Sequence, residues 1–89
     1  MPAHIAERRR SIRIPKSCRV EISFEDPTSV TVEATLEETS ATGFRISHES
    51  RELIPGLEIR LHHERAVRRA RVVWTHLLDG RRVSGCVLL

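Results

Sequence analysis

The chain has 89 residues, enough for one small domain with a limited hydrophobic core. Fifteen Lys and Arg residues against twelve Asp and Glu give a net charge of +3, and fourteen of the fifteen are arginines. The sequence has no run of about 18 apolar residues, as a transmembrane helix needs, and no apolar segment typical of a signal peptide. Its two cysteines, Cys18 and Cys86, are too few for a disulfide framework. We therefore expect a cytoplasmic protein that does not associate with membranes.

The basic charge is concentrated near the start of the chain. Residues 7–19 contain six basic side chains and one acidic side chain, whereas residues 20–52 contain eight acidic and two basic ones. Residues 1–16 also lack any regular spacing of apolar side chains. This pattern predicts a flexible basic N-terminal arm over residues 1–16 and a folded domain over residues 17–89.

Alternation of apolar and polar residues with period two predicts β-strands throughout the folded domain. Turn residues separate the alternating runs, and Asp79-Gly80 is a strong signal for a tight hairpin. The six predicted strands cover residues 18–25, 30–37, 44–46, 57–61, 66–77 and 82–89. No amphipathic helix of useful length is present, so the pattern favours an all-β antiparallel barrel or sandwich.

The predicted strands each have one apolar face. In the fifth strand this face comprises Ala70, Val72 and Trp74, and we predict that Trp74, the only tryptophan, anchors the core. The other predicted inward-facing residues are Val20, Ile22, Phe24, Val30, Val32, Ala34, Leu36, Phe44, Ile46, Leu57, Ile59 and Leu61. In the sixth strand, Val83, Gly85 and Val87 are predicted to share one face.

A first candidate motif lies in the arm, where Arg9 and Arg13 have an R-x-x-x-R spacing with Arg8 and Arg10 beside them. A guanidinium group can bind a phosphate through two hydrogen bonds or stack on a purine ring. Two such groups just before the first strand could hold a ligand against the barrel from outside. A solvated basic tail is the alternative interpretation of the same residues.

A second candidate motif, Glu38-Thr39-Ser40-Ala41-Thr42-Gly43, joins the second and third predicted strands. The Glu38 carboxylate can accept both N–H donors of a guanine edge, and the Ser40 hydroxyl can donate to a phosphate or to the loop backbone. Gly43 allows positive φ or the close approach of a ligand. An ordinary polar turn is the alternative.

Taken together, the order and spacing of these motifs resemble the PilZ family of bacterial proteins. That family shows R-x-x-x-R in its arm, then [D/N]-x-S-x-x-G, then a V-x-W strand and a closing strand that contains glycine. Val72 and Trp74 match the third motif and Gly85 the last. The resemblance covers residues 7–89, and Glu38 departs from it, since the family has Asp or Asn there.

The resemblance implies a six-stranded antiparallel barrel of the split-barrel type and cyclic di-GMP as the ligand, with no other cofactor. It also implies that Arg9 and Arg13 clasp guanine faces and phosphates, with help from Arg8 and Arg10. Glu38 and Ser40 would then read a guanine beside Gly43. Binding would order the arm and change the surface shown to a downstream partner protein.

The alternative function is the same fold acting as a protein-interaction adaptor that does not bind cyclic di-GMP, which the longer Glu38 side chain favours. Many family members carry a C-terminal helix for which these 89 residues leave no room. Part of the barrel is therefore expected to be uncovered, and the protein to be a monomer or a homodimer.

Other functions have less support in the sequence. No nucleophile, base or carboxylate pair has a diagnostic spacing, so we do not expect an enzyme. His62 and His63 adjoin Glu64, but neighbouring strand residues point to opposite faces, so we expect no metal site with His76. Cys18 is interpreted as structural. DNA or RNA binding is not expected either, because all three aromatic residues have the spacing of core positions.

Overall fold

The computed structural model describes residues 14–89, and for residues 14–16 it describes the backbone alone. The described chain forms six strands: β1 Ile14–Glu25, β2 Ser29–Thr39, β3 Gly43–His48, β4 Glu58–His63, β5 Ala66–Leu78 and β6 Arg81–Leu88. Within these residues there is no helix, and so none that is long and apolar enough to cross a membrane.

The strands close into a single antiparallel barrel in the order β1-β2-β3-β6-β5-β4. Pairing between β4 and β1, in which Ile22 lies opposite Leu61, completes the circle. Closure joins β1 to β4 over the pairs from Glu21–His62 to Ser23–Arg60, so the two strands that would be the edges of an open sheet are paired with each other. The predicted fold class, a six-stranded antiparallel barrel, is thereby confirmed. The predicted boundary between arm and barrel lies between residues 16 and 17, whereas β1 begins three residues before residue 17, at Ile14.

Most of the predicted inward-facing side chains form the core. Val20, Ile22 and Phe24 of β1 are buried, and so are Phe44 and Ile46 of β3. The core cluster also contains Ala34, Leu36, Leu53, Ile59, Leu61, Ala70, Val72 and Cys86, with Val30, Val32 and Leu57 packed against it. Period-two alternation therefore identified the barrel interior in the first four strands and at Ala70 and Val72 of β5 without any knowledge of strand pairing. In β6 the predicted face of Val83, Gly85 and Val87 does not as a whole form the interior, because Val87 is 39% exposed, whereas the buried Cys86 lies opposite Phe44.

The β3–β4 connection, residues 49–57, packs onto the barrel and is hydrogen-bonded to β5. The sequence shows only a polar stretch there, yet Leu53 is among the most deeply buried side chains. A chain of hydrogen bonds holds it: the Thr75 hydroxyl donates to the Leu53 carbonyl at 2.7 Å, and Ser84 Oγ lies 2.6 Å from Thr75 Oγ1. His48 Nε2 lies 2.7 Å from Ser84 Oγ, while the Ser50 amide donates to His48 Nδ1 at 3.1 Å.

Every group in this chain can act as donor to the next one when His48 is neutral. With its proton on Nε2, the imidazole donates to Ser84, Ser84 donates to Thr75, and Thr75 donates to the Leu53 carbonyl. Burial, followed by the positive charge of Arg82, lowers the pKa of His48 and so favours this neutral form. The network therefore links the connection to β3, β5 and β6.

The turn between β5 and β6 follows the predicted hairpin chemistry. Asp79 and Gly80 both have positive φ, 51° and 77°, as a two-residue type I′ turn requires. The turn places Arg81 beside β2, where its Nη1 donates to Glu37 Oε2 at 2.7 Å. This ion pair joins two segments that are 44 residues apart in sequence.

Candidate functional site

The β2–β3 hairpin carries the motif that runs from Glu38 to Gly43. Its turn is closed by a hydrogen bond of 2.9 Å from the Ser40 amide to the Gly43 carbonyl. The Ser40 hydroxyl accepts from the Thr42 amide at 3.2 Å and lies 3.4 Å from the Gly43 carbonyl oxygen. Of the two roles predicted for Ser40, the structure therefore shows the contact with the loop backbone.

Gly43 is needed for close packing and not for backbone conformation. It is absent from the glycines with positive φ, so the first of its two predicted roles is wrong. A Cβ added at Gly43 would overlap the carbonyl oxygen of Cys86 on the neighbouring strand. The glycine thus lets the motif turn lie directly against β6.

A β-bulge in β2 turns Glu38 to the outside of the barrel. The register shifts between Leu36 and Glu38, so that Leu36 lies opposite Ile46 and Glu38 lies opposite Arg45. Without the extra residue, Glu38 would have the same inward parity as Leu36. Bulges redirect side chains in this way and are common next to binding sites.

On the outer face, Glu38 belongs to an ionic cluster with Glu37, Arg45 and Arg81. Arg45 Nη1 lies 2.9 Å from Glu38 Oε2, and Arg45 Nε lies 3.4 Å from Glu37 Oε1. Partial burial acts to raise the pKa of Glu37, but hydrogen bonds from Arg81 and Ser47 and the charges of Arg81 and Arg45 outweigh it, so the pKa is lowered. Both carboxylates are thereby held close to the barrel wall.

Trp74 does not lie in the core, and the prediction that it anchors the core is wrong. A second β-bulge, between Val72 and Trp74, places Trp74 opposite Gly85, whereas Val72 lies opposite the buried Cys86. The extra residue reverses the parity of the strand, so the indole lies on the outer face. There it covers Gly85, where an added Cβ would overlap the ring.

The indole of Trp74 also stacks on the imidazole of His76. The two ring centroids are 4.9 Å apart, with 29° between the ring planes. The ring is half-buried, so part of its surface is available to a ligand. An aromatic platform of this kind is what a nucleotide base requires for stacking.

The two bulges bring the motif residues and the indole to one groove of about 270 Å³ on the outer face. Sequence reasoning grouped Glu38, Ser40 and Gly43 correctly, and missed that Arg45 and Trp74 stand beside them. The remaining lining residues are Thr42, Phe44, Val73, Gly85, Cys86 and Val87. The doubled Val72-Val73, which interrupts strict alternation, is the only sequence signal that could have indicated the bulge in β5.

The four arginines of the predicted arm site, Arg8, Arg9, Arg10 and Arg13, lie outside the described residues. The described backbone does show where the arm joins the barrel. Ile14 pairs with Thr39, and Pro15 pairs with Glu38. The chain therefore enters β1 next to the motif that lines the groove.

The two cysteines have different surroundings, and neither forms part of a metal site within the described part of the chain. Cys18 Sγ lies 3.5 Å from His63 Nε2, a contact that sequence reasoning missed because the two residues are 45 positions apart. Burial raises the pKa of the Cys86 thiol to about 12, which leaves it protonated and unreactive. Among residues 14–89, no three His, Cys, Asp or Glu side chains are grouped as a metal site would require.

A larger concavity, of about 870 Å³, lies between β2, β3 and the β3–β4 connection. Its lining is mixed in charge, and two of the lining residues, Arg19 of β1 and Glu33 of β2, form an exposed ion pair of 3.1 Å. Among the described residues that line it there is no Trp, Tyr or Phe, and Gly80 is the one glycine. Its chemistry therefore does not indicate a class of ligand, in contrast to the groove at Trp74.

Comparison with known proteins adds nothing to this geometry: no protein-family model matches the sequence, and no curated protein is similar to it.

Proposed function

We propose that this protein is a PilZ-type receptor that binds cyclic di-GMP in the groove between Glu38 and Trp74. The observation that carries the proposal is the convergence, on one groove, of an aromatic ring, a carboxylate and an arginine, at the point where the arm joins the barrel. We further propose a cytoplasmic binding module without enzymatic activity. The two free cysteines, Cys18 and Cys86, agree with a reducing compartment.

Each part of the ligand has a chemical counterpart in the proposed site. A guanine base would stack on the exposed side of the Trp74 indole, a contact that contributes about 1–3 kcal/mol per base in single-strand binding proteins. The Glu38 carboxylate would accept hydrogen bonds from the guanine edge. The phosphates would be bound by Arg9 and Arg13, with Arg8 and Arg10 nearby, since arginine pairs with phosphate through two hydrogen bonds.

The position of β1 gives the arm a role in signalling. Because Ile14 and Pro15 pair with Thr39 and Glu38, arginines just before them in sequence need to span only a few residues to reach a ligand in the groove. A ligand that binds both arm and groove would hold the arm against the barrel. The surface presented to a downstream protein would then depend on the second messenger.

The second candidate function is an adaptor that uses the same barrel to bind another protein without cyclic di-GMP. The ion pair between Arg45 and Glu38 favours it, because a ligand must compete with Arg45 for that carboxylate. Exposed apolar side chains along β5, among them Val67, Val73 and Leu77, offer contact area for a partner.

Titration calorimetry with cyclic di-GMP distinguishes the two functions. We expect micromolar or tighter binding to the wild type, loss of binding in Arg9→Ala/Arg13→Ala, and strong weakening in Trp74→Ala. The matched control is Arg60→Ala/Arg68→Ala, which removes two exposed arginines of β4 and β5 outside the groove and should bind normally. If the wild type shows no heat and no competition with labelled ligand, the receptor function is wrong and the adaptor remains.

A further inference from the structure

We propose that Arg45 is a specificity-determining residue, which together with Glu38 selects guanine over adenine. The inference rests on the proposed function, since it assumes that a cyclic dinucleotide occupies the groove. It goes beyond that function by assigning the choice of base to an arginine on β3 that belongs to none of the sequence motifs.

The geometry places a donor and an acceptor side by side at the groove. Arg45 and Glu38 lie opposite each other on paired strands, with Nη1 2.9 Å from Oε2, and both line the groove together with Trp74. Gly85 of β6 pairs with Arg45 on one side and with Trp74 on the other, and the indole lies over Gly85. A base stacked on that indole would therefore have its edge near the Arg45–Glu38 pair.

Arg45 has hydrogen-bonding capacity to spare. A guanidinium group has five N–H donors, and the contacts of Arg45 with carboxylates within residues 14–89 go through Nη1 and Nε. Its Nε is buried and has no hydrogen-bond partner among the described residues, although the Glu37 carboxylate is near. About 43% of the side chain is exposed, so the Nη2 donors can reach a ligand.

The pair matches the edge of guanine and conflicts with that of adenine. Guanine presents O6, an acceptor, next to the N1–H and N2–H₂ donors, so Arg45 can donate to O6 while Glu38 accepts from the other two. Adenine presents the N6–H₂ donor in place of O6 and an acceptor at N1. The Arg45 donors would then face the N6–H₂ donor, and the Glu38 carboxylate would face the N1 acceptor. Such mismatched pairs lower the affinity for adenine.

Stability of the barrel does not account for this arrangement. The two glutamate side chains are only 19% and 14% exposed, so removing them from water carries a cost, which Arg45 offsets for both and Arg81 offsets for Glu37. They lie on the outer face and contribute nothing to the apolar core. A buried donor left without a hydrogen bond is costly as well, and such costs are expected at binding sites.

The test compares the affinities of cyclic di-GMP and cyclic di-AMP for the wild type, Arg45→Leu, Arg45→Lys and the control Arg60→Leu. Each variant is first checked by thermal melting. We expect the wild type to prefer cyclic di-GMP, and Arg45→Leu to lose about tenfold or more in affinity for it, as for one charged hydrogen bond, with little change for cyclic di-AMP. Arg45→Lys, which keeps a charged donor, should retain part of the preference, and Arg60→Leu all of it.

Two results would overturn the inference. If Arg45→Leu lowers both affinities by the same factor, or neither, Arg45 does not select the base even though the receptor function stands. If the folded wild type binds neither dinucleotide, the proposed function itself fails and the inference fails with it. Should Arg45→Leu not fold, the same comparison is made with Arg45→Lys, and an unchanged preference together with an unchanged affinity counts against the inference.

Discussion

Replacement of Gly85 by alanine tests the outward position of Trp74 directly. Gly85 does not have positive φ, so its backbone accepts an alanine without strain. In a strand interior, a change from glycine to alanine should by itself stabilise the protein by about 0.4–1 kcal/mol, because it reduces the entropy of the unfolded chain. The structure predicts the opposite sign, because the new Cβ would overlap the Trp74 indole.

The magnitude follows from the overlap. Three atoms of the indole, Cε2, Nε1 and Cζ2, lie where the methyl group would be, so the whole ring must move. Overpacking of this kind costs about 1–3 kcal/mol. For a domain of this size, each kcal/mol lowers Tm by about 4–8 °C. We therefore expect Gly85→Ala to lower Tm by at least several degrees and to shift the emission of the single tryptophan.

A double-mutant cycle with Trp74→Ala isolates the cause. When the indole is absent, the overlap disappears, and Gly85→Ala should become neutral or stabilising. The assay is thermal unfolding of all four proteins, supported by tryptophan fluorescence of the two that retain Trp74. If Gly85→Ala raises Tm in the presence of Trp74 and leaves the emission unchanged, the indole does not cover β6 and the groove is wrongly described.

Two further predictions concern the β3–β4 connection and the hydrogen-bond network at His48. Leu53→Ala should destabilise the protein by about 2–5 kcal/mol, since Leu53 is 1% exposed, whereas Ile54→Ala, at a site 57% exposed, should change stability by less than about 0.5 kcal/mol in chemical unfolding. Because burial, then the charge of Arg82, lowers the pKa of His48, the unfolded chain binds a proton that the folded chain does not. Stability should thus be full above the ordinary pKa of about 6.5 and fall as the pH drops below it. In melts between pH 8 and pH 5, His48→Gln should lose less Tm than the wild type, and parallel curves would contradict the role of His48.

The two bulges connect fold and function in this barrel. Each inserts one residue into a strand next to the groove, the first before Glu38 and the second before Trp74. In regular strands both side chains would have inward parity, and a buried carboxylate without compensation would be strongly unfavourable. The bulges thus turn two residues that strict alternation assigns to the core into lining of an outer groove. Removal of either bulge by deletion of one residue would be expected to remove the groove.

The sequence by itself determined the number of strands, the inward faces of most of them and the Asp79-Gly80 hairpin. These features depend on local chemistry. Alternate burial along a strand gives apolar residues a period of two, and a type I′ turn needs residues that accept positive φ. It also grouped Glu38, Ser40 and Gly43, because they are neighbours in a single hairpin. Glu38 was predicted as a site residue because its carboxylate can accept hydrogen bonds from guanine, although strict alternation in β2 would turn its side chain inward.

Only the tertiary structure decided where Trp74, Arg45 and Leu53 lie. A bulge arises from the pairing of two strands, and no single strand shows which residue its partner leaves unpaired. Arg45 became part of the groove through the shifted register of β2 against β3. Leu53 became core because its connection is held against β5, which lies far from it in sequence. The contact between Cys18 and His63 has the same origin. Positions that depend on which distant strands meet are set by closure of the whole barrel, and this closure is not encoded in any local pattern of residues.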